Sequence, residues 1–232
     1  MRVATLLSLS LLVFSPSQAF SEEGEAVKVS KPAEKSAQES AARTYILDIQ
    51  SSDILVTTVK AGFAADLGHQ HVIAATKGSG KIVHNAKNPT ESSIQVTVDV
   101  PSLSVDAQVH RAKVNFEGDP PDDGDRATIK ENMLKEDQLW GEKHTTVSFQ
   151  STSITGTGPG KVKVEGKLTI RGVTQSVSFP AKIKSSGSEF TGDAKVEITH
   201  GQFGMEPFSI GFGAIGNAEE LTLHLHLVGK VN

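Results

Sequence analysis

A period of two runs through most of this chain and restricts it to sheet architectures. Ile94, Val96, Val98 and Val100 fall on one face while Gln95, Thr97 and Asp99 fall on the other. Val162, Val164, Leu168 and Ile170 oppose Lys161, Lys163, Glu165, Lys167 and Thr169. The same alternation sets Val177, Phe179, Ala181 and Ile183 against Ser178, Lys182 and Lys184, and Ala194, Val196 and Ile198 against Lys195 and Glu197. It ends with Leu221, Leu223, Leu225 and Leu227 opposite Thr222, His224 and His226. Weaker versions occupy Tyr45–Ile49, Ile54–Gly62, His71–Val83 and Val147–Ser151. Successive strand side chains point to opposite faces, so each segment has one apolar and one solvated face. About eight or nine such strands at short spacing predict an antiparallel sandwich or barrel.

The connectors agree. Gly156-Thr157-Gly158-Pro159-Gly160 and Ser185-Ser186-Gly187-Ser188 carry tight-turn residues, and Gly172 separates two strong strands as a hairpin turn requires. One short helix is predicted at Asp125–Gln138, with Ile129, Met133 and Leu134 on a common stripe. The preceding Glu117–Gly124, with two prolines and three aspartates, reads as a solvent loop. A sheet with one apolar face and a single helix to cover it must curl on itself or stack on a second sheet. A barrel of about eight strands leaves an interior wide enough for side chains or one small ligand. The inward set is Val, Ile, Leu and Phe, so a lumen would favour an apolar guest, and a fully packed interior stays open as the alternative.

The ends of the chain differ from this pattern. Residues 1–19 read as a secretory signal: Arg2, a short apolar run from Val3 to Phe14, then Pro16 and Ser17-Gln18-Ala19. A run of about 12 residues is too short for a bilayer, which needs roughly 20, and no second apolar stretch of membrane length follows. Residues 20–43 are rich in Glu and Lys and read as a flexible charged linker. Residues 44–232 then form one domain. With no cysteine in the chain, disulfides, thiolate metal sites and thiol nucleophiles are excluded. A net charge of −4 argues against a nucleic-acid binder. Tyr45 and Trp140 are the only non-Phe aromatics, which leaves base stacking to phenylalanine.

Particular segments carry a resemblance. Val164-Glu165-Gly166-Lys167-Leu168-Thr169-Ile170-Arg171-Gly172-Val173-Thr174 is similar to the central G-x-L-T-I-x-G-V-T hairpin of the YceI-like family. Thr145–Ser151 is similar to that family's P-x-I-x-F-x-S strand, and Gln202-Phe203-Gly204-Met205 to its F-G-(I/M) element, with Glu220–Val228 as closing strand. The resemblance runs in order over most of Tyr45–Val228. It implies a lipocalin-like antiparallel β-barrel whose long apolar pocket holds an isoprenoid or other lipid tail. Family lining positions carry over to Val147, Phe149, Val164, Leu168, Phe179 and Phe203. The chain departs from the family where Asp106–Gly124 reads as an insertion, and where His144 or Thr145 stands at the strand's proline.

His69 and His71, like His224 and His226, lie two apart, a spacing that on a strand presents two imidazoles to one divalent metal. For His224 and His226 the competing reading is the solvated face opposite the leucines. His69 and His71 read as a polar rim that meets a ligand head group or, alternatively, a metal. Gly211-Phe212-Gly213-Ala214-Ile215-Gly216 matches G-x-G-x-x-G, but it follows no βα pattern and opens no helix, so it reads as a glycine-rich loop. Phe203, Phe208 and Phe212 are expected to plug one barrel end. Asp119, Asp122, Asp123 and Asp125 read as a solvated acidic turn rather than a Ca²⁺ loop.

The expectation is therefore a periplasmic or secreted lipid-binding protein that sequesters or carries an isoprenoid-like or other long apolar molecule. It needs no catalytic residue, no cofactor and no membrane span in the mature chain. Unpaired strand edges would favour a homodimer. The alternative is a metal-binding protein or metal-dependent enzyme using His69 and His71.

Overall fold

The computed structural model describes residues 42–116 and 120–231. The segments read as signal and linker therefore lie almost wholly outside the described residues. Twelve strands make one sheet: β1 (Arg43–Leu47), β2 (Asp53–Ala61), β3 (Val72–Ala74), β4 (Gly78–His84), β5 (Ser93–Asp99), β6 (Ser104–Val105), β7 (Thr146–Gly158), β8 (Lys161–Ile170), β9 (Val173–Ser185), β10 (Glu189–Thr199), β11 (Ser209–Ile210) and β12 (Ile215–Lys230). Two α-helices accompany them among the described residues, α1 (Gln108–Lys113) and α2 (Asp123–Met133).

The sheet closes. Its order runs β1-β4-β5-β7-β8-β9-β10-β12, and β12 pairs back onto β1, giving a closed antiparallel barrel of eight strands. Three staves are each broken once: β12 pairs with β1 at Gly229 and Lys230 and with β2 from Gly216 to His226, while β3 precedes β4, and β6 follows β5, in the same direction along the barrel. Nearly every neighbour in space is then a neighbour in sequence, and the barrel is an up-and-down meander with both helices inserted between β6 and β7. Each stave has two neighbours, but β9 and β10 pair only between Ala181–Ser185 and Phe190–Ala194, so residues 173–180 and 195–199 keep unpaired edges toward each other.

Local chemistry explains the joints. Ile170 pairs with Val173 across a two-residue turn, and its central residues Arg171 and Gly172 have φ of 53° and 74°, the doubly positive turn that matches strand twist. The helix α2 begins at Asp123, earlier than sequence reasoning placed it, because Asp122 Oδ1 accepts from the Asp125 N–H at 2.8 Å. It ends at Met133 rather than Gln138. Asp122 and Asp123 are thus helix-start residues, with Asp123 paired to Arg126, and not parts of a loop.

Gly166 shows how the hairpin motif serves the interior. A Cβ there would sit 2.4 Å from the Phe149 ring and 2.7 Å from the Gln150 carbonyl oxygen. The missing side chain is what lets Phe149 lie across the inner wall. Gly166→Ala is expected to cost about 1–3 kcal/mol through overpacking, because the backbone contact cannot be relieved by a rotamer change. Urea unfolding measures it; an unchanged midpoint would show that this approach is not tight.

Candidate functional site

The inward parity read from the alternation holds. Val147, Phe149, Val164, Leu168 and Phe179 all lie on the wall of an interior cavity of 110 Å³, beside Ile94, Val96 and Leu225. A second interior cavity of 210 Å³ lies nearer the helices, walled by residues that include Ile73, Ile129, Met133, Leu139 and Leu221. Ile54, Val98, Val147, Leu168 and Leu223 belong to both walls, so the two spaces adjoin along the barrel axis. Each far exceeds the ~10–15 Å³ that admits a single water. The smaller is walled almost wholly by apolar side chains, a lining that stays dry and takes apolar guests, while the larger also carries polar side chains. Beyond the smaller cavity, Tyr45, Ile82 and Phe190 form a buried cluster that fills the barrel end, with the Tyr45 and Phe190 rings 5.8 Å apart.

Phe203 departs from its expected place. It is fully buried on a short 3-10 turn and packs with Ile198, Met205 and Leu221 behind the wall, on neither cavity's lining. Phe208 does line the larger cavity. Phe212 does not plug the barrel, because its side chain stands wholly in solvent at the β11–β12 turn. Tight left-handed backbone at Gly211 and Gly213 aims that turn outward.

The polar part of the larger cavity is built around His71. Its Nδ1 lies 2.6 Å from Asp106 Oδ2, and Asp106 is completely buried. The other carboxylate oxygen accepts from the Val72 N–H at 2.8 Å and from Arg111 Nη1 at 3.1 Å. Arg111 also donates to the Gln70 carbonyl and lies over the Phe116 ring. Burial pushes the Asp106 carboxyl up, but the hydrogen bonds from His71, Val72 and Arg111 outweigh it and hold the group below its ordinary 3.8. A carboxylate facing Nδ1 fixes that nitrogen as the protonated one, leaving Nε2 as the ring's second polar atom. His200 repeats the arrangement: it lines the same cavity, is buried, and its Nδ1 donates to the Glu219 carbonyl at 3.0 Å.

Asp106 and His200 were absent from the sequence-based candidates. Asp106 stood at the head of what reads as an insertion, and α1 follows it there, packing Val114 and Phe116 over the outward Leu55, Val72 and Ala74. The first part of the insertion, from Asp106 to Phe116, thus covers an outer core and anchors His71. No periodic signal marks such a residue; its φ of 50° is a conformation that Asp tolerates better than most.

The paired histidines separate by environment. His69 is exposed on the loop before β3, whereas His71 turns to the lumen. His224 and His226 occupy the outer face, His224 Nε2 at 3.1 Å from Thr57 Oγ1 and His226 Nδ1 at 2.6 Å from Asp193 Oδ1. Burial lowers the His224 pKa from 6.5, with Lys195 adding to the effect. Among the described residues, no three His, Cys, Asp or Glu side chains are grouped to hold a metal ion. Among the same residues, no helix is long and apolar enough to cross a membrane.

Comparison with known proteins agrees with this geometry. Residues 45–227 match the YceI-like domain. A UPF0312 protein of Vibrio parahaemolyticus is 23% identical over 189 residues, covering 79% of this chain and 89% of that protein. A UPF0312 protein of Shewanella is 26% identical over 194 residues, covering 82% and 89%. Among solved structures, Burkholderia cenocepacia BcnA superposes with a TM-score of 0.59 at 21% identity, over 78% of this chain and 98% of that one. With the family's domain matching residues 45–227, nearly the whole barrel, this chain belongs to the YceI-like family.

Proposed function

We propose that this protein is exported and sequesters or carries an isoprenoid-like or other long apolar molecule in its barrel lumen. The observation that carries the reading is the pair of adjoining apolar cavities sharing Val147 and Leu168 on their walls. Transfer of a hydrocarbon tail from water into such a space contributes roughly 0.8 kcal/mol per CH₂. Val147, Phe149, Val164, Leu168 and Phe179 are the tail contacts in this reading, and Phe203 supports the wall from behind. The polar head rests at His71, whose ring Asp106 orients, with His200 across the same cavity. When neutral, both imidazoles present Nε2 as acceptor, which suits a head carrying a hydrogen-bond donor. The mechanism is desolvation and needs no chemical step.

The test is extraction of protein purified from its native host into organic solvent, followed by mass spectrometry. A stoichiometric long-chain apolar compound is expected. An empty protein that also fails to bind long-chain prenols or fatty alcohols in solution would overturn the reading.

A further inference from the structure

We propose that the helix-side end of the barrel docks on a neutral, zwitterionic lipid bilayer through an apolar lip made by two neighbouring loops. One is residues 62–68 between β2 and β3; the other is residues 207–214, which hold the short strand β11 and its turn into β12. The Ala64 N–H donates to the Ala214 carbonyl at 2.8 Å, and Gly62 lies so close that a Cβ there would sit 2.3 Å from that oxygen. The two loops are therefore held as one protrusion. On it Phe63 is 86% exposed, Leu67 74%, Ile210 51% and Phe212 109%. Four large apolar side chains on one protrusion are an interaction surface rather than scattered exposure.

Phe212 shows that the exposure is built in. It has φ of 55° between Gly211 at 62° and Gly213 at 85°, a backbone state that disfavours an aromatic residue, and its exposed ring gains no contact within the fold to offset that. The charge pattern selects the occupant. Asp66 is the sole ionisable residue in the two segments; the exposed Glu206, Glu219 and Glu220 flank them together with Lys60 and the exposed His69, so the balance around the lip is acidic. A lip of this composition suits uncharged lipid and is repelled by anionic lipid. Separate protruding rings around small residues are wedges for an interface of headgroups and chains, as with aromatic and aliphatic anchors of interfacial proteins. The lip is also continuous with the lumen, because Phe208, at the base of the second loop, lines the larger cavity. The purpose of the lip rests on the lumen reading above: an apolar cargo that leaves a bilayer here enters the cavity without crossing water.

Flotation of the full-length protein with phosphatidylcholine vesicles tests this directly. Wild type is expected to float, with little dependence on salt and less binding as phosphatidylglycerol is added. Phe63→Ser with Phe212→Ser is expected to lower partitioning by at least about tenfold per residue while leaving the thermal melt unchanged, since both side chains are already in water. Failure to float with phosphatidylcholine, binding that requires phosphatidylglycerol, or a double variant that floats like wild type overturns the proposal. So does a wild-type dimer in sedimentation that the double variant abolishes without any flotation, which would make a second copy the occupant. Extraction separates this from the lumen reading: flotation without extractable cargo keeps the lip and removes the carrier, and cargo without flotation does the reverse.

Discussion

Asp106→Ala is expected to lower the free energy of unfolding by about 3–5 kcal/mol, the cost of breaking a buried ion pair from one side. The carboxylate is fully buried and accepts from His71, the Val72 N–H and Arg111. Removing it leaves the Val72 amide and the Arg111 guanidinium short of their acceptor in a dry setting. Asp106→Asn keeps an acceptor and tolerates the left-handed backbone, so its cost should be smaller, about 1–3 kcal/mol. The two variants also differ from wild type in acid. Because the Asp106 pKa is held below its ordinary 3.8, the folded state binds fewer protons than the unfolded chain there. Its stabilisation is complete above the unfolded value and is lost as pH falls through the folded one. Wild type should therefore lose stability below about pH 4 more steeply than Asp106→Asn. Urea melts across pH 2.5 to 7 would show it, and parallel curves for the two proteins would mean that the network contributes nothing to acid sensitivity.

Val147→Trp should divide the lumen. Val147 is only half-buried and lies on both cavity walls, so an indole there stands between them. A tail kept out of the smaller cavity by even four methylenes loses about 3 kcal/mol, or roughly hundredfold in affinity. Chains short enough to fit beside the helices should bind nearly as before. A chain-length series of fatty alcohols, measured by calorimetry or displacement of a fluorescent tail, therefore gives a break in the variant and a steady rise in wild type. A uniform loss at every length would point to general disruption, which overpacking by about 1–3 kcal/mol can cause and which a parallel melt would detect. Affinity unchanged at every length would place the ligand elsewhere.

Much of the barrel was legible before the fold was known, and for a local reason. Adjacent residues on a strand face opposite ways by covalent geometry alone, so the apolar face of each strand could be read without knowledge of its neighbours. The placing of Val147, Phe149, Val164, Leu168 and Phe179 on a lumen wall came from the resemblance to the YceI-like family. The Arg171-Gly172 turn was equally readable, because positive φ is a property of the residues in it. Phe203 was misplaced on the wall because it lies on a 3-10 turn, where no period of two applies. The helix α1 was missed because it is six residues long and has no capping side chain.

What the sequence by itself determined about this protein is the class of fold and which face of each strand is apolar. Whether those faces meet as a filled core or around adjoining cavities was decided only by the closed barrel, since it depends on how side chains from eight strands share one axis. The same holds for the polar site. Asp106, His71 and Arg111 are placed by three different segments, and only closure of β3 against β6 brings the carboxylate to the imidazole. The lip was likewise hidden, because a phenylalanine in a glycine-rich loop reads as core until its neighbours are seen to leave it in solvent.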